Sequence, residues 1–253
     1  MGKKSKIPYI IIQRPYQYQS RTRAPMFQFE YCKNQIVETA QVLVKKGYLM
    51  ATGGNLSMRI PGESMLAITP SNFDYMKMTS NDICVLDFKL KVIEGELKPS
   101  VESGFHVGVY QKRSDVNAII HTHQVYTSAL ALMKIPIPAL FDEQVRYLGR
   151  SVDIIPYAPS GTDFLKKKIV KYIKNHHNAY IMQNHGALCF GDGLQRAIYN
   201  VEILEKCSLA YLLTLCAEKD VSKIPLHIRE IAFSKLRKDQ KRIEGGETST
   251  EIN

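Results

Sequence analysis

The sequence contains no tryptophan, and no stretch of its 253 residues approaches the roughly 18 consecutive apolar residues of a membrane span. It therefore offers no candidate transmembrane helix. Its five cysteines, Cys32, Cys84, Cys189, Cys207 and Cys216, are an odd number with no CxxC spacing. Neither a disulfide framework nor a cysteine-based zinc site is indicated. Cys207 and Cys216 fall in an apolar helical pattern, where a free thiol is expected to act as a small buried hydrophobe. Near the start, Tyr9–Ile12 is too short for the core of a secretory signal. Pro8, Pro15 and Pro25 interrupt the amphipathic helix that an organellar transit segment needs. The expected location is cytoplasmic.

Acidic residues are scarce at two places, and those places account for the whole net charge of +10. Residues 1–26 carry Lys3, Lys4, Lys6, Arg14, Arg21 and Arg23 with no acid. Residues 235–242 carry Lys235, Arg237, Lys238, Lys241 and Arg242 against Asp239. The rest is neutral, whereas a nucleic-acid module builds a basic face into its fold. No nucleic-acid partner is expected, and the basic runs read as solvated ends. What remains, 45% hydrophobic and 23% charged, is an ordinary globular composition long enough to bury one core. The expected organisation is a basic N-terminal extension over 1–26, a single domain over 27–240 and a polar tail over 241–253.

From Phe27 the apolar residues Phe29, Cys32, Ile36, Val37, Ala40, Leu43 and Val44 recur at helical spacing, with Gly47 placed to end the helix. Short strand-like runs follow at Leu56–Ile60, Met65–Thr69, Ile83–Phe88 and Val92–Glu94. The pattern then predicts a helix over Val101–Lys112, a buried strand over Ala118–Thr122 and a helix over Val125–Met133. A strand over Val152–Ile155 precedes a helix capped within Ser160-Gly161-Thr162 and running through Lys174. Strands Ala179–Met182 and Ala187–Phe190 flank the turn Gln183-Asn184-His185-Gly186, and a long helix runs from about Leu194 to Glu218. Interleaved strands and helices predict one layered α/β domain.

The chemistry begins at His121-Thr122-His123. Residues i and i+2 of a strand point to the same face, about 6.6–6.8 Å apart at Cα, so both imidazoles can converge on one ion. The apolar run Ala118-Ile119-Ile120 places His121 at the end of a buried strand, where α/β proteins usually put their sites. His185 lies at another strand end, beside Gly186, which permits a close approach. Three such histidines form the ligand set of an open divalent metal site, with zinc the expected ion; unrelated, partly buried histidines are the alternative. His106 reads as a packing residue on a helix, His176-His177 as solvent-exposed, and His227 as a histidine without a partner.

Glu102 follows Pro99 and Ser100, a plausible helix entry, and a glutamate in a first helical turn is favoured by the helix dipole. That plain reading is preferred for the residue taken alone; the functional one is a carboxylate that serves as base beside the metal. Thr52-Gly53-Gly54-Asn55-Leu56-Ser57 is a glycine-rich turn whose backbone N–H groups and Asn55 amide suit an anion, although it is no Walker loop. Thr69-Pro70-Ser71-Asn72 and Ser100 supply further small donors.

In order and spacing these motifs resemble the class II aldolase/adducin family, over roughly Phe27 to Glu218. The resemblance implies a three-layer αβα fold around a largely antiparallel sheet. It implies a zinc site from His121, His123 and His185, with Glu102 beside it as the acid/base. It also implies a phosphate pocket from Gly54, Asn55, Ser71, Asn72 and Ser100, and a homotetramer with active sites between subunits. The implied function is a zinc-dependent lyase performing reversible aldol cleavage of a ketose phosphate such as fuculose 1-phosphate, to dihydroxyacetone phosphate and an aldehyde. The alternatives are a zinc-dependent epimerase, dehydratase or decarboxylase, or a non-catalytic adducin-like scaffold. Adducin-like heads lack a complete metal set, which this chain keeps.

Two departures bear on the substrate. Val101 stands where the family's aldolases usually have Ser, and Asn72 where they usually have Gly. A valine methyl cannot donate, and a lost charge-assisted hydrogen bond costs about 1.5–3 kcal/mol. The tail offers no tyrosine beyond Tyr211, where the fuculose-phosphate type has one. The resemblance to the family's epimerases and dehydratases, which use an acid in this region, implies that Asp142 or Glu143 supplies the second proton; a surface helix start is the alternative.

Overall fold

The computed structural model describes residues 24–246. Most of the basic extension expected at 1–26, and residues 247–253 of the tail, lie outside the described residues. Sixteen regions of the sequence resolve into helices α1 (Ala24–Lys45), α2 (Ser103–Lys112), α3 (Val125–Met133), α4 (Asp142–Tyr147), α5 (Asp163–Tyr172), α6 (Leu194–Cys216) and α7 (Leu226–Glu244), strands β1–β8, and one short 3-10 turn at Ser80–Asp82. The strands are β1 (Asn55–Arg59), β2 (Met65–Ile68), β3 (Cys84–Asp87), β4 (Val92–Glu94), β5 (Ala118–Thr122), β6 (Asp153–Ile155), β7 (Ala179–Met182) and β8 (Gly186–Gly191).

The strands form one sheet in the order β4-β3-β2-β1-β5-β8-β7-β6. Only β6–β7 is parallel, so the sheet is largely antiparallel as expected. Residues Ile119, Leu188 and Phe190 pack with Phe105 and Tyr110 of α2 and Leu165 and Ile169 of α5. On the opposite face, Leu56, Ile120 and Ile181 pack with Ile36 and Leu43 of α1, Leu130 of α3 and Val201 and Leu204 of α6. Helices therefore cover both faces, the three-layer αβα arrangement that the alternation of side chains along each strand demands.

Helix α1 begins at Ala24, earlier than Phe27, because Pro25 is tolerated in a first turn that needs no intrahelical N–H donor. Helix α7 has no counterpart among the expected elements. Nearly half of its residues are charged, and of its apolar residues Ala232, Phe233 and Leu236 are buried, packing against Ala139 and against Val145 of α4. Arg150 Nε also donates to Glu230 Oε1 at 3.0 Å. His227 lies in this helix.

Two further expectations are corrected. Cys216 ends α6 exposed, while the other four free thiols are buried. His177 is not solvent-exposed but buried, with its ring against Gly149, whose Cα leaves no room for a Cβ. Among the described residues no helix is long and apolar enough to cross a membrane.

Candidate metal centre and anion pocket

The antiparallel register sets Asn55 of β1 opposite His121 of β5, and His121 in turn opposite Leu188 of β8. His121 points to the α2 face, edge-on to the Phe105 ring at 5.9 Å. His123 continues past the strand end, and His185 comes from the β7–β8 turn, where Asn184 adopts φ +54°. Asparagine is among the few residues that enter the left-handed region at small cost. Gly186 is obligatory there. A Cβ on it would meet the Thr122 carbonyl oxygen at 2.4 Å and His123 Cδ2 at 2.5 Å.

One ligand atom from each of His121, His123 and His185 lies within 4.8 Å of the others. His121 Nδ1 donates to the Ala187 carbonyl at 2.8 Å, which turns its Nε2 lone pair inward. That nitrogen faces His123 Nε2 at 2.9 Å, two like groups held together in a buried site. Burial pushes His121 down to about 3, and it lowers His123 and His185 also. Neutral imidazoles with converging lone pairs are the form that ligates a cation. This donor set fits zinc-type coordination with one position left open.

Glu102 stands beside the three rings. Its Oε2 is 3.3 Å from His121 Nε2 and its Oε1 is 3.4 Å from His185 Nε2. Helix α2 starts at Ser103, not Val101, so Glu102 is the N-cap residue and lies outside the first turn. Its carboxylate does not cap the helix. It accepts instead from Ser160 Oγ at 2.7 Å and Asn55 Nδ2 at 2.8 Å. Burial opposes its charge, but the His121 imidazole, Ser160, His185 and Asn55 outweigh that and hold the carboxyl down to about 2. Ser160 was legible only as a possible cap. The cap of α5 is Thr162, whose Oγ1 accepts from Leu165 N, leaving Ser160 free for Glu102.

The three donor segments converge around this carboxylate. Ser71 N donates to Lys98 O and Ser100 N to Thr69 O, joining the second and third segments. Leu56 N donates to Thr69 Oγ1, joining them to the glycine-rich turn. Gly54, at φ +83°, admits no Cβ, because the His121 carbonyl oxygen would lie 2.5 Å from it. The buried hydroxyl of Tyr75, which sequence reasoning passed over, donates to the Gly54 carbonyl at 2.6 Å. Asn72 has φ +54°, a left-handed conformation that asparagine enters at small cost. Its Oδ1 accepts from Thr52 Oγ1 at 2.8 Å. Val101 is exposed beside Gly161 and brings no donor.

Asp142 and Glu143 open α4, away from this cluster. Among the described residues no hydrogen bond or ion pair links either of them to Glu102 or the three histidines. The Glu143 carboxylate accepts from Tyr199 Oη at 2.6 Å and Lys206 Nζ at 2.8 Å, bonds that hold it below the usual carboxylate range. Asp142 is exposed.

Comparison with known proteins gives a consistent set of neighbours. The family described as class II aldolase and adducin N-terminal domain matches residues 34–212. An L-fuculose phosphate aldolase of Escherichia coli is 34% identical over 181 residues, 72% of this chain and 82% of that protein. A 5-deoxy-D-ribulose 1-phosphate aldolase of Bacillus thuringiensis is 30% identical over 182 residues, 72% of this chain and 84% of that protein. Among solved structures, an L-fuculose 1-phosphate aldolase superposes with a TM-score of 0.76 at 31% identity, covering 82% of this chain and 96% of its own.

Proposed function

This chain belongs to the class II aldolase and adducin family and is a carbon–carbon lyase of the aldolase kind, and we propose that it cleaves ketose 1-phosphates reversibly to dihydroxyacetone phosphate and an aldehyde. One observation carries the reading: a buried, charged carboxylate, Glu102, lies 3.3 and 3.4 Å from two of three converging imidazoles. A scaffold protein would have no use for this arrangement.

Zinc held by His121, His123 and His185 would act as a Lewis acid on the substrate carbonyl. Glu102 then moves the proton at the donor carbon, as a base kept ionised by Ser160 and Asn55. Gly54, Asn55, Ser71, Asn72 and Ser100 are our choice for the phosphate. The Oγ of Ser100 accepts from Glu102 N, so its own hydrogen is available to an anion. The Asn72 amide makes up in part for the donor missing at Val101.

The proton at the aldehyde oxygen falls to Asp142 rather than Glu143, whose oxygens are already taken by Tyr199 and Lys206. Asp142 is unattached to the site of its own chain, so we assign it to the site of a neighbouring copy in a homotetramer. We place the enzyme in the cytoplasm, in keeping with five free thiols.

The test is a zinc-replete assay with fuculose 1-phosphate and 5-deoxyribulose 1-phosphate, followed by NMR of the products. Cleavage yields two fragments, whereas epimerisation or dehydration conserves the carbon chain. Glu102→Gln should lower turnover by about 10²–10⁴-fold. Mixing subunits of Glu102→Gln with subunits of Asp142→Asn should restore part of the activity, and failure to do so would remove Asp142 from the neighbouring site.

A further inference from the structure

We propose that His106 is a positioning residue that fixes which way round the Asn55 carboxamide stands, making Asn55 a donor alone on the side of Glu102 and the anion pocket. The inference rests on reading Glu102 and Asn55 as site residues. Its evidence is a chain of hydrogen bonds whose direction can be worked out.

Glu102, the N-cap residue of α2, and His106, within α2, both reach Asn55 of β1. Between them lies Asn55. Its Nδ2 donates to Glu102 Oε2 at 2.8 Å, and its Oδ1 lies 2.6 Å from His106 Nε2. The other ring nitrogen, His106 Nδ1, is 2.7 Å from Ser57 Oγ, which is in turn 2.7 Å from Tyr110 Oη. Ser57 and His106 are fully buried, and Asn55, Glu102 and Tyr110 nearly so. The hydrogens between these five residues must therefore find their acceptors within the chain.

The carboxamide stands with its NH₂ at a Glu102 carboxyl oxygen and its oxygen at the His106 ring. The carbonyl end then faces His106 and requires a hydrogen from Nε2. The imidazole is neutral, since burial pushes it down to about 3, so Nδ1 carries a lone pair. Ser57 donates to that lone pair, and Tyr110 donates to Ser57. Each hydroxyl and the imidazole N–H are used once.

The reversed chain fails at both ends. With Nδ1 protonated, Ser57 would donate to Tyr110, whose own hydrogen would have no acceptor. The Asn55 amide would turn its oxygen toward the Glu102 carboxylate at 2.8 Å. The fixed direction has a consequence for binding. Nδ2 makes one hydrogen bond among the described residues, so its second hydrogen remains for an anionic ligand. Asn55 also sits opposite His121 in the sheet, so its orientation bears directly on the centre.

The first measurement is ¹⁵N NMR of the zinc-loaded enzyme with labelled histidine, using His106→Gln to assign the signal. A bare Nδ1 and a protonated Nε2 are expected; protonation at Nδ1 overturns the inference. The second measurement uses His106→Phe, which keeps the ring stacked on Phe105, now 4.5 Å away, but cannot donate. Its affinity for inorganic phosphate and its kcat/KM should fall by about 10–100-fold with zinc retained. His106→Gln, which restores a donor toward Asn55, should recover most of both. Unchanged phosphate binding in the Phe variant, or no recovery with Gln, would reduce His106 to a packing residue. Wild-type protein that cleaves no ketose phosphate yet passes the NMR and phosphate tests would sink the aldolase reading and leave this one standing.

Discussion

Gly186 and His123 are packed so closely that a single methyl on the glycine would lie 2.5 Å from the ring carbon Cδ2. The same methyl would lie 2.4 Å from the Thr122 carbonyl oxygen and 3.2 Å from His121 Cε1. The turn that presents His185 is thus pressed against the strand end that presents the other two histidines. Gly186→Ala should displace His123 and cost about 1–3 kcal/mol through overpacking. Elemental analysis of the purified variant should show bound metal well below one per chain. Full metal content at an unchanged Tm would contradict the packing described here.

Metal removal should separate the site from the fold. The sheet and its two apolar faces do not depend on an ion, so a chelator should abolish aldol cleavage while far-ultraviolet circular dichroism stays native. A cation binding only the folded state raises stability by RT ln(1 + [L]/Kd), about 2.7 kcal/mol at 100 Kd. Re-addition of zinc should restore both turnover and Tm. Turnover that survives complete chelation would remove the metal from the reaction.

Arg113 offers a test of the scaffold alone. It is 2% exposed and donates to Asp115 through Nε and Nη2, each at 2.6 Å. It also donates to the carbonyl oxygens of Lys174 and His177 and to Asn178 Oδ1. Removing one partner strands the other charge in the interior, a loss of about 3–5 kcal/mol. Arg113→Met should therefore show a large drop in urea midpoint, and a midpoint near wild type would mean that the network contributes little.

Acid should weaken the fold before it reaches the carboxylates. Burial pushes His177 down to about 4 and His106 to about 3, both from an ordinary value near 6.5. A histidine that is harder to protonate when folded gives the unfolded chain the greater proton affinity. Stability is then full above about pH 6.5 and declines as pH falls toward 4. For His177 the loss is on the order of 3 kcal/mol, taking about 1.4 kcal/mol per unit. Calorimetric Tm measured in the presence of saturating zinc should fall across that window, and a flat profile from pH 7 to 4 would contradict it.

Local pattern alone was enough for β5, β7 and α3, whose bounds Ala118–Thr122, Ala179–Met182 and Val125–Met133 agree with the periodicity residue for residue. For the three histidines the strand-end positions left a shared ion as one of two readings, and for Glu102 the local pattern favoured a plain helix entry; the resemblance is what made the four a candidate site. Helix α7 was illegible. Its apolar residues are interspersed with nine charges and only three of them are buried, and the helix is held by a patch that includes α4 and by Arg150, groups remote in sequence.

The amino-acid order by itself determined the layered α/β class and the ligand types, since side-chain period and donor chemistry are local properties. Only the folded chain decided that Ser160 rather than Thr162 serves Glu102, that His106 reaches Asn55, and that Asp142 lies apart from the centre of its own chain. Those outcomes depend on which strands become neighbours. Strand pairing brings together residues far apart in the chain, such as Asn55 of β1 with His121 of β5, and no periodicity along the chain encodes it.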